Sequence, residues 1–175
     1  MAILGVDDFK SKLTGGGARA NLFKATVNFP SYVNPDMELT SFLCKGVQVP
    51  ASTIAPIAIP FRGRQLQMAG DRTFEPLSLT IINDVDFQVR NAFESWANGI
   101  NNFATNTGLA NMNDYICDVV VEQLNKAGET TKKYDFRGCW PSNVSTIDLN
   151  YDSENTIEEF TVELQVQYWE SNTTT

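Results

Sequence analysis

The chain has 175 residues, 42% of them apolar and 19% charged, which fits one globular domain of ordinary size and excludes a disordered polymer. Thirteen basic against 21 acidic side chains leave a formal net charge of −8, and no residue is a histidine. The missing histidine removes the commonest general base, the commonest metal ligand and every Ser-His or Cys-His nucleophile pair, and the negative charge argues against gripping phosphate backbones.

The charge is unevenly spread. Residues 1–88 carry eight basic and eight acidic side chains, whereas residues 89–175 carry five and thirteen, and past Arg137 no base remains. Cys44, Cys117 and Cys139 are odd in number and widely spaced, so they read as buried, reduced thiols rather than a disulfide framework or zinc site. No apolar run approaches the ~20 residues of a membrane helix. The N-terminus "MAILGVDDFK" lacks the basic flank and apolar core of a signal peptide, so nothing marks the chain for export, and the Asn143 and Asn172 sequons carry little weight.

In chain order, residues 1–19 form an N-terminal arm. "VDDFKSKLTGGGAR" can form one short helical turn before Gly15, Gly16 and Gly17 break it, which leaves either a frayed terminus or a hinged arm that orders against a neighbour. A single β-domain is expected over 20–170, with a tail at 171–175. "NLFKATVNF" places Phe23, Ala25, Val27 and Phe29 on one face of a strand ended by Pro30. "SYVNPDME" reads as a loop, "SFLCKGVQVP" as a second strand, and "ASTIAPIAIP" as an extended, edge-like excursion whose prolines bar it from a sheet centre. Its Ile54, Ile57 and Ile59 need cover from the domain's own core or from another chain.

"FRGRQLQMAG" and "TFEPLSLTII" read as two strands turning at "GDR", with Gly70 supplying the permissive backbone. "NDVDFQVRNAFESWANGI" is the one convincing helix: Val89, Ala92, Phe93, Trp96, Ala97 and Ile100 recur at helical spacing, with Asn83 or Asp84 as cap and Gly99 near the close. The Asn-rich residues 101–113 are a surface loop. Strands follow in "DYICDVVVEQLN", "YDFRGCWP", "NVSTIDLNYD" and "TIEEFTVELQVQYWE", with Trp140 at a strand end. In the last, Phe160, Val162, Leu164, Val166 and Tyr168 alternate with Thr161, Glu163, Gln165 and Gln167, so one unbroken strand of roughly 50 Å is expected. The sum is a mainly-β protein: an antiparallel β-sandwich or barrel with one flanking α-helix.

Asp71-Arg72 is the most conspicuous charged pair. It lacks a nucleophile and a proton carrier, so catalysis is set aside, leaving a local turn or an intersubunit contact. Arg62 and Arg64 read either as a solvated strand face or as partners for the acidic second half of a neighbouring copy. "GGGAR" lacks the Gly-Lys-Ser/Thr ending of a phosphate loop, and no calcium-loop spacing is evident; no cofactor or metal is expected.

"ARANLFKATVNF", "QMAGDRTFEP", "FRGCWPSNV" and "IDLNYDSENTIEEFTVELQVQYWE" resemble, in order, the tail tube proteins of T-even-type contractile-tailed bacteriophages. The resemblance runs from about residue 19 to 170. It implies a structural virion protein of the phage tail, assembled in the host cytoplasm. Hexameric rings would stack into a hollow tube inside a contractile sheath, started by a baseplate and closed by tube-terminating proteins. DNA would pass down the bore without specific binding. The alternative is the tube subunit of a contractile injection system, such as a type VI needle or a bacteriocin tail. On this view Arg62, Arg64, Gly70, Asp71 and Arg72 are expected at an intersubunit contact, and the arm and segment 48–60 reach the next ring. Thr161, Glu163, Gln165 and Gln167 are expected to line the bore, with the outer surface as the competing place.

Overall fold

The computed structural model describes residues 5–13 and 16–174; Gly15 of the expected glycine break and Thr175 of the expected tail lie outside them, with residues 1–4 and 14. Three α-helices and nine strands occur among the described residues: α1 Val6–Lys12, β1 Phe23–Val27, α2 Met37–Leu43, β2 Cys44–Gln48, β3 Ser52–Phe61, β4 Arg64–Phe74, β5 Leu77–Ile82, α3 Gln88–Ile100, β6 Cys117–Leu124, β7 Thr130–Val144, β8 Glu159–Gln165 and β9 Tyr168–Ser171.

All strand pairings are antiparallel, and β7 organises them. Its first half pairs with β6 on one side and β9 on the other; its second half pairs with β8. Between the halves Gly138 takes a positive φ of 63°, and the ladder slips between Pro141 and Asn143. A proline without an N–H is tolerated at such an irregularity. The bent strand therefore belongs to two layers, sheet I (β1-β6-β7-β9) and sheet II (β7-β8-β5-β2).

Period-2 alternation decides what lies between them. Ala25 and Val27 of β1, Val119 and Val121 of β6, and Phe136 of β7 join Leu77, Leu79, Ile81, Phe160, Val162 and Leu164 in one core. Helix α3 contributes Val89, Ala92, Phe93 and Trp96 to it. Phe29 sets its ring 5.1 Å from that of Phe93 and 5.4 Å from that of Trp96. Trp96 Nε1 donates to the Tyr115 carbonyl at 2.7 Å, so the buried indole keeps a partner.

The mainly-β reading holds, with local corrections. The expected loop at "PDME" instead opens α2, because the Asp36 carboxylate accepts the Leu39 N–H at 2.9 Å as an N-cap, and β2 starts only at Cys44. α3 begins at Gln88 rather than at residue 83; Asp84 Oδ2 takes the Gln88 N–H at 3.2 Å from beyond the helix end. Only Asn143 and Val144 of "NVSTIDLNYD" are strand, and 145–158 are turns and loop. Trp140 lies inside β7, opposite Gln165, not at a strand end.

The expected long last strand is two strands. It breaks at Val166–Gln167, where the Gln167 N–H donates to the Arg137 carbonyl, and the facing parity shifts so that Trp169, not Tyr168, lies opposite Phe136. The bend in β7 forces this: a partner that follows β7 through Gly138 must bend with it.

Candidate assembly surfaces

Two surfaces outside the core have the character of contacts with other molecules. The first is the β3–β4 ribbon. It is joined to the body at its root, where Glu75 N–H donates to the Ala51 carbonyl and Phe74 meets the Trp169 ring edge-on at 6.2 Å. Beyond that root its residues are almost all exposed. The turn is at Arg62–Gly63, with φ of 46° and 82°, which matches a two-residue hairpin; the expected turn at "GDR" is corrected. Gly70 instead sits within β4 for a steric reason. β4 bulges at Gly70–Asp71, two residues opposite Ala55 of β3, and a Cβ on Gly70 would meet the Ala55 carbonyl oxygen at 2.6 Å.

The register gives the ribbon two unlike faces. Ile57, Ile59, Phe61, Leu66 and Met68 share one face with Arg64 and Thr73; Ile54 and its partner Arg72 fall on the other with Gln65 and Gln67. Asp71 sits in the bulge and Arg72 beyond it, paired with Ile54, and the two do not form a dyad. Among the described residues, neither they nor Arg62 and Arg64 enter an ion pair. The Arg62 guanidinium instead lies 5.3 Å from the Phe61 ring centroid. The unpaired Arg62 and Arg64 beside an uncovered apolar strip are costly features for a free surface and useful ones for a contact.

The second surface is the outer face of sheet II. Thr161, Glu163 and Gln165 of β8 line up with Ser78 and Thr80 of β5, Gln48 of β2 and Asn143 of β7. Gln167 does not join them, since it lies in the break between β8 and β9. Lys45, on β2, is held by Glu159 at 2.5 Å, so the face offers hydroxyls, amides and the Glu163 carboxylate but no unpaired cation. Sheet II also has two open sides. Among the described residues, β2 pairs only with β5, and the second half of β7 only with β8. The outer face of sheet I differs: Arg137 bridges Asp118 at 2.6 Å and approaches Glu170 at 3.9 Å, a charged cluster that also holds Arg137 protonated.

Sequence reading missed a third feature, because it assigned a strand there. The 145–158 loop exposes Leu149, Tyr151 and Ile157 around a cleft of about 710 Å³ edged by Asp148 and Glu158. A run of acids with interspersed bulky apolar residues and no alternation was the available signal. All three thiols are free; burial pushes Cys44 and Cys117 up to about 11 and Cys139 to about 12. Among the described residues no three His, Cys, Asp or Glu side chains converge as metal ligands, and no helix is long and apolar enough to cross a membrane.

The fold recurs in contractile tail machines. Among solved structures, a chain of the six-fold symmetrised baseplate of the anti-feeding prophage superposes with a TM-score of 0.68 at 15% identity, covering 89% of this chain and 95% of that one. A chain from the PVC sheath–tube complex of an extracellular contractile injection system gives 0.67 at 14%, covering 92% and 95%. The family model described as phage tail tube protein matches residues 11–172. Tail tube protein gp19 of Enterobacteria phage T4 is 34% identical over 94% of this chain and 99% of its own length, and the tail tube protein of Serratia phage KSP90 is 31% identical over 91% and 93%. The chain belongs to the phage tail tube protein family, and it is a structural component of the virion tail.

Proposed function

We propose that six copies close side by side into a ring, that rings stack into the tube, and that the outer face of sheet II lines the bore. The observation that carries this reading is the pair of open sides on sheet II, β2 and the second half of β7, on either flank of a polar face without free cations. Placing β2 of one copy beside β7 of the next removes both edges and continues the sheet. Four strands from each of six copies make a barrel of about 24; at ~4.8 Å spacing and ~40° tilt its backbone radius is roughly 24 Å, wide enough for duplex DNA. Thr161, Glu163 and Gln165 then face the cargo. Acids and amides there keep phosphates at a distance, so that passage is not slowed by contacts that must be broken.

The ribbon residues Arg62, Arg64, Gly70, Asp71 and Arg72 belong to contacts between copies, and the arm of residues 1–19 reaches a neighbouring copy. α1 and the Leu13 that follows it support the latter, for Val6, Phe9 and Leu13 are uncovered. The exposed sides serve a surrounding sheath and the baseplate and terminating proteins at the tube ends, as the structural neighbours' sheath, baseplate and cap assemblies suggest. The role is mechanical, not catalytic.

Thiol labelling of assembled tubes tests the bore. Glu163→Cys is expected to react with a small maleimide but not with one carried on a large protein, whereas Glu122→Cys, on the outer face of sheet I, reacts with both. Equal reactivity of the two positions toward the bulky reagent would overturn the assignment.

A further inference from the structure

We infer that the arginine-bearing tip of the β3–β4 ribbon seats in the acidic 145–158 cleft of a copy in the adjacent ring; this rests on the tube reading and deepens it. Connectivity supplies the geometry. At one end of sheet II stand Gln48, Leu77 and Gln165, and the ribbon leaves from there, between β2 and β5. At the opposite end stand Cys44, Ile82, Val144 and Glu159, and the 145–158 loop joins β7 to β8 there. Ribbon and cleft thus occupy opposite ends of the same sheet, and no ribbon residue lines the cleft of its own molecule.

Their surfaces match in kind. The tip presents Phe61 (66% exposed) and Leu66 (59%) with Arg62 and Arg64. The cleft presents Leu149 (85%), Tyr151 (105%) and Ile157 (66%), with Asp148 on its rim and Asp152 and Glu154 in the same loop. Those acids enter no ion pair among the described residues, and no basic residue follows Arg137 in the chain. Buried alone, either apolar set leaves its charges unpaired; together each satisfies the other.

Reach is adequate. β3 spans ten residues, so the tip stands ~33 Å beyond the root, further than the ~23 Å length of β8. A knob at one end and a socket at the other make a head-to-tail contact, which propagates without closing and gives an open stack rather than a dimer. The same opposition fixes polarity, because two sockets face to face would place like charges together.

The test is a paired-cysteine variant, Leu66→Cys with Tyr151→Cys, assembled and then oxidised with diamide, which takes two hydrogens from two thiols to leave one disulfide. A ladder of covalent multimers, absent from either single variant, is the expected result. Tubes in which the pair stays unlinked would overturn the docking while leaving the tube reading intact; failure of the unmodified protein to form tubes at all would overturn the tube reading itself. In a second arm, Arg62→Glu/Arg64→Glu and Asp148→Lys/Glu154→Lys each raise the critical concentration for assembly at least tenfold, and the combined four-fold variant recovers most of that loss. No recovery in the combined variant, with each parent's melting temperature unchanged, contradicts direct pairing.

Discussion

Gly70→Ala separates the ribbon from the body of the protein. The added Cβ would stand 2.6 Å from the Ala55 carbonyl oxygen and 2.9 Å from Ile57 Cγ1. The first is backbone and cannot rotate away, so the bulge at Gly70–Asp71 must shift and the two faces lose register beyond it. Overpacking of this kind costs about 1–3 kcal/mol. The ribbon contributes none of the buried core, so the isolated subunit's melting temperature is expected to stay within a degree or two. In the tube every subunit must order its ribbon, so the cost falls on each addition step and the critical concentration rises about 5-fold to about 140-fold. Sedimentation of assembled material across a concentration series measures it directly. Gly63→Ala is the control: nothing lies within 4 Å of its Cβ, and its cost is only the strain of φ +82°. Unchanged assembly by Gly70→Ala would refute the bulged register. A large loss of subunit stability would show that the ribbon is part of the core.

Other outcomes follow from the same structure. Phe136→Ala, at a fully buried position where β6 and β9 meet β7, should cost about 3–5 kcal/mol in urea unfolding of the subunit, whereas Arg72→Glu should leave that transition unmoved and weaken assembly. Normal long tubes from Arg72→Glu in electron micrographs would contradict a contact role for Arg72. Cys139 has its folded pKa raised to about 12 from an ordinary 9, so its stabilising effect is complete below pH 9 and is lost as pH climbs toward 12. Between pH 8 and 10 the wild-type subunit should lose roughly 1 kcal/mol more stability than Cys139→Ala. Parallel pH profiles of the two would rule this out. Raising salt should weaken stacking of rings more than subunit folding, since the ribbon arginines are exposed and screened while the core is not.

Much of the architecture was legible because burial imposes period 2. Ala25 and Val27 and Phe160, Val162 and Leu164 are inward where alternation put them, and the stripe of α3 faces the core. What alternation cannot reveal is where a ladder bends. "FTVELQVQYWE" alternates cleanly through Tyr168, yet the strand breaks after Gln165 because its partner β7 turns at Gly138, a residue far away in sequence. Gly70 misled for a related reason: a glycine needed for absence of a side chain looks the same in sequence as one needed for a turn. The Arg62–Gly63 turn was the better signal, and it lay eight residues earlier in "FRGRQ". Of the candidate surfaces, the arginines and the polar β8 face could be named from charge and pattern. Their placement at opposite ends or on one face required the topology.

A three-dimensional reconstruction of tubes grown from the purified protein tests the central claim most directly. The account predicts β2 of each copy hydrogen-bonded or abutting the second half of β7 of its neighbour, with Glu163 turned toward an open channel. A tube whose channel is walled by the Arg137–Asp118 face of sheet I, or in which sheet II keeps both sides open to solvent, would contradict it.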